Sequence, residues 1–209
     1  MNVKHSTTDS KIVPARRNPF AVEHVTKIPF RFEEGDWLSN LKRLKDLNFR
    51  AAIVGPKGSG KSTLLNDLQQ HIAERTDLET HHILLPREKA ERAEAIDEAL
   101  DAVEEGKVLL VDGLERGSIS QKFKLFRSTS GRSGLVVTAH HPMRLPPFIL
   151  PTWVRTQTSE LLLDYVLSEL KMAGPDVRAA GKRALTEHGG NLRNVLRDLY
   201  DRHASLRFK

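Results

Sequence analysis

A glycine-rich run carries the clearest chemical signal in this sequence. Its residues are Gly55, Pro56, Lys57, Gly58, Ser59, Gly60, Lys61, Ser62 and Thr63. They fit the phosphate-binding (Walker A) pattern G-x-x-x-x-G-K-[ST], in which backbone N–H groups surround a polyphosphate. In that pattern Lys61 pairs with the outer phosphates and the Ser62 hydroxyl binds Mg²⁺. The run therefore predicts a site for a nucleotide and a magnesium ion.

The residues on either side of this run place it between a strand and a helix. Residues 51–54 are Ala-Ala-Ile-Val, a short apolar segment typical of a buried strand. After the run, Leu64, Leu65, Leu68 and Ile72 recur at helical spacing. A phosphate-binding loop needs this order, because the start of the helix directs its positive dipole end toward the anion.

Further apolar runs predict a parallel sheet that is buried on both faces. Residues 82–85, 107–112 and 134–138 are continuous apolar segments, without the alternation of a half-exposed strand. A covering helix with one apolar face is predicted over 87–105. Since strands alternate with helices, we predict a three-layer α/β fold, that of a P-loop NTPase, followed by a small helical subdomain.

Composition along the chain predicts three parts. Residues 1–18 are polar and lack periodicity, which predicts a flexible tail. Residues 19–157 hold the α/β core, with an amphipathic lead-in helix over 37–47. After a proline-rich loop at 142–151, residues 158–209 contain three predicted helices separated by glycines. We interpret this last part as a helical lid.

Charge and composition narrow the class of protein. The formal net charge of +6 favours anionic partners, although solvated helices alone can account for it. The sequence has no cysteine, which excludes disulfides and thiol chemistry. No apolar run is long enough to span a bilayer, and the N-terminus lacks the apolar segment of a secretory signal. We therefore expect a cytoplasmic protein without a membrane segment.

Basic residues are concentrated in two stretches. Each stretch is either a solvated helix face or a surface for DNA or RNA. The residues are Lys122, Lys124, Arg127 and Arg132 in the first stretch, and Arg193, Arg197, Arg202 and Arg207 in the second.

An acid ends the apolar segment 107–112. P-loop ATPases place at this position the acid that holds Mg²⁺, and Asp112 is the corresponding residue. Many hydrolases of this class have a glutamate directly after that acid, where it orients the attacking water, but this chain has Gly113. Glu115, two residues further, is either a replacement general base or a solvated loop charge.

Two more pairs of residues are candidates for contact with the nucleotide. Thr138 and His140 end the next apolar segment, at the carboxyl edge of the sheet, where the γ-phosphate is expected. Either residue is a candidate sensor of that phosphate, and the alternative is a simple strand cap. Phe30 and Phe32 precede the first strand, where they either wall the adenine or pack in the core.

The C-terminal part resembles the lid subdomain of AAA+ ATPases, especially the origin-recognition and clamp-loader branch. Residues 158–167 read T-S-E-L-L-L-D-Y-V-L, and residues 189–196 read G-G-N-L-R-N-V-L. The second segment matches the G-[ND]-hydrophobic-R pattern that opens a lid helix in that family. The resemblance implies that Arg193 is the sensor 2 arginine, which reaches the nucleotide under the lid. The alternative is a surface charge on a helix that Asn191 caps.

The resemblance spans roughly residues 49–200 and implies a Mg²⁺-dependent ATPase whose lid movement acts on a partner. It implies ATP as the nucleotide, and the sequence has no N-K-x-D motif for reading guanine. It also implies a homo-oligomer or a protein partner, because AAA+ sites often take an arginine from a neighbouring subunit. Arg127, Arg132 and Arg144 are candidates for that arginine, although none lies in a recognisable motif.

The chain also resembles small bacterial ATP-binding proteins with the same order of motifs, and that likeness implies no substrate. Two other functions stay open from the residues. One is a small-molecule kinase, which the phosphate loop permits. The other is a nucleotide-gated binding module that scarcely hydrolyses ATP, which Gly113 favours.

Overall fold

The computed structural model describes residues 14–101, 106–131 and 133–205. Contacts divide the chain into two units. We call residues 29–157 the sheet unit, and the residues up to Ile28 together with those from Thr158 onward the helical unit.

A five-stranded parallel sheet forms the centre of the sheet unit. Its spatial order is β2-β3-β4-β1-β5. The strands are β1 (Arg50–Val54), β2 (Glu79–Leu84), β3 (Lys107–Asp112), β4 (Gly134–Ala139) and β5 (Thr152–Arg155). This order puts β4 directly between β1 and β3, so the carboxyl ends of these three strands lie side by side.

Helices cover the sheet and build the helical unit. They are α1 (Val22–Val25), α2 (Trp37–Asp46), α3 (Lys61–Arg75), α4 (Lys89–Asp101), α5 (Ile119–Ser128), α6 (Glu160–Glu169), α7 (Pro175–Glu187) and α8 (Leu192–Ala204). Short 3-10 helices occupy Ala15–Arg17 and Leu114–Arg116. None of the helices in the described part of the chain has the length and apolar character that a bilayer crossing requires.

Alternate residues of the central strands face opposite layers of helices. Ala51 and Ile53 of β1 pack in one core with α2 and α3, whereas Ala52 and Val54 pack in a second core with α4 and α5. Because both faces of the sheet are covered, the strands need apolar side chains at every position. The predicted three-layer P-loop NTPase fold is confirmed.

Two strands of the sheet unit differ from the expectation. β2 occupies Glu79–Leu84 instead of 82–85, because a strand at the sheet edge tolerates polar side chains. β5 is only four residues long, Thr152–Arg155, and was not predicted. The first basic stretch lies mainly on α5, which buries Leu125 and Phe126 against the sheet. The proline-rich segment 142–151 is irregular, as expected.

In the helical unit, α6, α7 and α8 share an apolar core with residues from the N-terminal segment. Phe20 is buried in this core, although we expected residues 19–28 to lead into the sheet. Asn18, the last residue of the expected flexible tail, is fully buried, and its side-chain amide donates to the Tyr200 carbonyl at 2.9 Å. The Asn18 side-chain oxygen accepts from the Phe20 N–H at 3.0 Å. Residues 1–13 of the expected tail lie outside the described residues.

Leu44→Ala tests how much α2 contributes to the sheet core, with Leu38→Ala in the same helix as the control. Leu44 is 0% exposed, whereas Leu38 is 68% exposed. We expect Leu44→Ala to lower the free energy of unfolding by about 2–5 kcal/mol, since it leaves a cavity. Leu38→Ala is expected to change it by less than about 0.5 kcal/mol. Urea denaturation followed by tryptophan fluorescence measures both, and equal values would contradict the packing of α2 described above.

Candidate nucleotide-binding site

The glycine-rich run forms a loop between β1 and α3, as its sequence context predicts. Gly58 and Gly60 have φ angles of +80° and +84°, a left-handed conformation that residues with a Cβ rarely adopt. Gly60 is the N-cap of α3, so the helix begins at Lys61 with its free N–H groups next to the loop. The backbone therefore has the shape and the dipole of an anion-binding loop.

Lys61 lies inside this loop. Its side chain is 8% exposed, and its ammonium group donates to the carbonyl oxygens of Gly55 at 2.9 Å and Pro56 at 2.8 Å. Ser62 and Thr63 follow in the first turn of α3 and are half-buried. The structure thus holds a positive charge at the loop, next to the hydroxyl groups that the motif assigns to the metal.

Thr156, the residue that follows β5, contacts the loop. Sequence analysis did not identify it. Its hydroxyl lies 2.6 Å from the Ser59 hydroxyl, and the Ser59 hydroxyl also donates to the Pro56 carbonyl at 2.8 Å. A Cβ on Gly55 would lie 2.1 Å from the Thr156 hydroxyl oxygen and 2.3 Å from its carbonyl oxygen. Only glycine fits at position 55, because β5 approaches the loop this closely.

Asp112 and Thr138 form a buried hydrogen-bond network at the ends of β3 and β4. The Thr138 hydroxyl donates to Asp112 Oδ1 at 2.7 Å and accepts from the Gly113 N–H at 2.7 Å. Thr138 is 1% exposed, and Asp112 is half-buried. The hydroxyl therefore fixes the orientation of the Asp112 carboxylate.

Glu115 and His140 meet beside this network. Glu115 lies in the short helix after β3, and its carboxylate is 3.6 Å from Nε2 of His140, which follows β4. The Glu115 and His140 side chains are 34% and 38% exposed, so water reaches both. The structure thus brings four predicted site residues together at neighbouring strand ends: Asp112, Glu115, Thr138 and His140.

The backbone around Gly113 explains the absence of a glutamate at that position. Gly113 has a φ angle of +81°, and a Cβ there would lie 3.3 Å from the Arg116 guanidinium. Arg116 in turn donates to the Leu85 carbonyl at 2.5 Å, and Arg92 donates to the Arg116 carbonyl. A side chain at 113 would strain the backbone and displace this arginine pair.

His82 is a further ionisable group near Asp112. Burial lowers the pKa of His82, and the Asp112 carboxylate opposes this effect only in part. Its Nε2 atom is buried and has no hydrogen-bond partner within the described ranges. These surroundings favour a neutral imidazole at this position.

Phe30 lies against the phosphate loop, whereas Phe32 lies in an aromatic cluster. A Cβ on Gly60 would be 3.4 Å from the Phe30 ring, and the Phe30 N–H donates to the Asp67 carboxylate at 2.5 Å. Burial raises the pKa of Asp67, and the bond from Phe30 acts in the opposite direction. Phe32 contacts Trp37 edge to face, with ring centroids 4.9 Å apart. The position of Phe30 agrees with both expected roles, which are contact with the adenine base and packing in the core.

The side chains at the loop fit a magnesium ion. Mg²⁺ prefers oxygen ligands, and it is commonly bound by one or two carboxylates together with substrate phosphates. Ser62 offers a hydroxyl, and Asp112 offers the carboxylate oxygen that Thr138 does not bind. Among the described residues, no cluster of three or more His, Cys, Asp or Glu side chains forms another metal site.

Arg193 lies in the helical unit, in the first turn of α8. It is exposed, while its neighbours Leu192, Val195 and Leu196 are buried in the core of that unit. Asn191 occupies the N-cap position, but its side chain forms no capping hydrogen bond. Arg127 and Arg144, two of the three candidates for an arginine given to a neighbouring subunit, are exposed, and the third, Arg132, lies outside the described residues.

Comparison with known proteins adds information at the level of structure. The sequence matches no protein-family model, and no curated protein is significantly similar to it. Among solved structures, the chain is similar to Cdc6p from Pyrobaculum aerophilum, with 15% identity and a TM-score of 0.56 over 94% of this chain and 68% of that one. The two proteins share a P-loop NTPase fold. At this identity the similarity shows the fold alone.

Two further solved structures of this kind are more distant. For the RuvB Holliday junction branch migration motor of Thermotoga maritima, the identity is 13% and the TM-score 0.48, over 79% of this chain and 69% of that one. For Drosophila ORC bound to DNA, the identity is 11% and the TM-score 0.40, over 79% and 53% of the two chains. TM-scores below 0.5 are too low to establish a shared fold, so neither of these two structures bears on the fold of this chain.

Thr138→Val tests the hydrogen-bond network that holds Asp112, and Thr138→Ser is the control. Valine keeps the shape of threonine but leaves the buried Gly113 N–H without its acceptor, which is expected to cost about 1–3 kcal/mol. Serine keeps the hydroxyl, so Thr138→Ser is expected to retain most of the stability. Chemical denaturation measures both variants. An equal loss in the two variants would contradict the network, because only the valine variant removes the hydroxyl.

Proposed function

We propose that the protein is a Mg²⁺-dependent ATPase that couples its nucleotide state to movement of the helical unit, and through it to a partner. The observation that carries this proposal is the position of the Asp112–Thr138 network one strand away from the phosphate loop. Thr138 pairs with Ile53 of β1, two residues before Gly55, so acid and loop share one edge of the sheet.

In this proposal Lys61 binds the outer phosphates of ATP. Its ammonium group already lies within the loop, where it bonds to two carbonyl oxygens. Exchange of these neutral acceptors for charged phosphate oxygens gives stronger, charge-assisted hydrogen bonds. The N–H groups of the loop and of the first turn of α3 bind the same phosphates.

Ser62 and Asp112 would hold the magnesium ion, which neutralises the charge that develops on the phosphates. Thr138 keeps the Asp112 carboxylate in one orientation through its hydroxyl. Because Thr138 lies on β4, between β1 and β3, it is also a candidate sensor of the γ-phosphate.

Glu115 is the residue that we propose to orient the attacking water. A side chain at position 113 would be strained, and in this proposal the carboxylate comes instead from the short helix that follows. His140 lies 3.6 Å from this carboxylate and would hold it in place. Arg193, exposed at the start of α8, is proposed to contact the nucleotide from the helical unit.

For the partner we propose nucleic acid, on the basis of charge. Basic side chains lie on two helices. On α5, Lys122 is half-buried and Arg127 is exposed, and on α8 both Arg193 and Arg197 are exposed. They belong to a chain with a formal net charge of +6. Lys124, by contrast, is already paired with Asp97, so it contributes less to such a surface. We also propose a homo-oligomer, in which Arg127 or Arg144 of one subunit completes the nucleotide site of its neighbour.

Lys61→Ala tests the nucleotide site, with Lys45→Ala on α2 as a charge-matched control. Phosphate release from Mg²⁺-ATP, measured with and without DNA, is expected to disappear in Lys61→Ala and to persist in Lys45→Ala, because only Lys61 lies at the loop. Stimulation by DNA supports a nucleic-acid partner. If Lys61→Ala kept wild-type turnover and ATP affinity, the loop would not be the nucleotide site.

Glu115→Gln tests the role of the carboxylate, with Glu98→Gln on the exposed face of α4 as the control. Loss of a general base is expected to lower turnover by about 10²–10⁴-fold while ATP still binds. Single-turnover hydrolysis and a fluorescent-ATP titration measure the two quantities. Unchanged turnover in Glu115→Gln would make this residue a solvated charge. Tight ATP binding without turnover in the wild type would favour the nucleotide-gated module.

A further inference from the structure

The helical unit has a cavity of about 400 Å³ that is open to solvent and that the proposed ATPase chemistry does not use. All of its lining residues come from this unit, from the N-terminal segment and from the end of α6. Cavities that bind small molecules in proteins have volumes of roughly 300–1,000 Å³. The cavity is therefore large enough for a ligand of several atoms.

Positive charge dominates the lining of this cavity. Arg17, Lys27 and Lys171 line it together with His24, and Glu169 is the one carboxylate among the lining residues. Within the described part of the chain, none of these three cationic side chains forms an ion pair or a side-chain hydrogen bond. All three cationic side chains are exposed, so an anion from solution can reach them. The cavity is thus suited to an anion.

Lys171 occupies a backbone position that normally selects glycine. It follows the C-cap of α6 with a φ angle of +57°. Its N–H donates to the Ser168 carbonyl at 2.9 Å, and the Met172 N–H donates to the Leu167 carbonyl at 2.7 Å, the pattern of a Schellman motif. This conformation is unfavourable for a residue with a Cβ. The lysine side chain is present at the cavity despite this cost.

The Schellman motif also removes an obstacle to anion binding. The end of a helix carries a partial negative charge on its last carbonyl groups. Here the carbonyls of Val166, Leu167 and Ser168 all accept backbone N–H groups that follow them. Their charge is therefore partly compensated on the side of the helix end that lines the cavity.

We infer that this cavity binds an organic phosphate, in which the phosphate group is attached to a larger organic group. A phosphate alone is much smaller than the cavity, and the remaining lining is apolar, with Pro19, Ile28 and Leu170. Lysine and arginine are the residues that bind phosphate, and Arg17 can do so through two parallel hydrogen bonds. The phosphate belongs either to a small phosphate ester or to the backbone of a nucleic acid.

The cavity is separate from the part of the helical unit that carries Arg193. A Cβ on Gly190, just before α8, would lie 4.0 Å from Thr158, just before α6. The cavity lies at the other end of α6, which has 10 residues and is therefore about 15 Å long. Binding at the cavity and at Arg193 can thus be measured separately.

Site-resolved NMR of the full chain tests this inference. Phenyl phosphate is the probe, phenol is its neutral counterpart, and a 12-nucleotide single strand tests the other source of phosphate. We expect phenyl phosphate to shift the backbone amide signals of Arg17, Lys27 and Lys171 in a saturable way, and phenol to leave them unchanged. Binding at the phosphate loop would appear separately, on Gly58 and Gly60. If the single strand shifts the same cavity signals at lower concentration, the source is a nucleic acid.

Lys171→Asn removes the charge and keeps the fold, because asparagine tolerates the left-handed conformation. It is expected to weaken phenyl phosphate binding at the cavity at least about tenfold, as loss of a bond to a charged group does. The control is Arg183→Gln on α7, which removes one exposed charge outside the cavity and is expected to change the affinity less than about twofold. Absence of cavity shifts, or equal weakening in both variants, would overturn the inference. Neither variant alters the proposed ATPase residues, so failure here leaves that proposal intact.

Discussion

The close approach of β5 to the phosphate loop is the constraint on which the candidate site depends. Thr156 continues the ladder of β5 by donating its N–H to the Val54 carbonyl at 2.7 Å, and its hydroxyl meets Ser59 at 2.6 Å. Gly55 lies between these contacts and has no room for a Cβ. The conformation of the loop is therefore fixed by contacts with Thr156 as well as by its own glycines. Lys61 is held in this loop by its hydrogen bonds to the Gly55 and Pro56 carbonyls.

Sequence analysis succeeds where the signal is local. β1, the glycine-rich run and α3 are consecutive, so apolar spacing and a short motif are enough to place them. The position of Asp112 at the end of a strand is predicted for the same reason. Gly113 is a more instructive position. The sequence alone suggests a missing catalytic group, whereas the structure shows a left-handed backbone next to Arg116, where a side chain would be strained.

The features that the sequence did not reveal depend on contacts between distant residues. Thr156 and Ser59 are 97 positions apart, and nothing in a four-residue strand next to prolines indicates their contact. Asn18 and Tyr200 are 182 positions apart, so the polar N-terminal segment shows no sign that it completes the helical unit. The hydrophobic periodicity of the sequence does not indicate such pairs, because each residue follows only the local preferences of its own segment.

The chain enters and leaves the sheet unit at two connections, after Ile28 and after Gln157, and both begin beside the phosphate loop. Phe30, two residues after the first connection, lies against Gly60. Thr156, two residues before the second, lies against Gly55 and Ser59. Gln157 also donates to Glu33 at 2.8 Å, which joins the two segments. The two segments at the ends of the sheet unit are therefore joined to each other and to the phosphate loop.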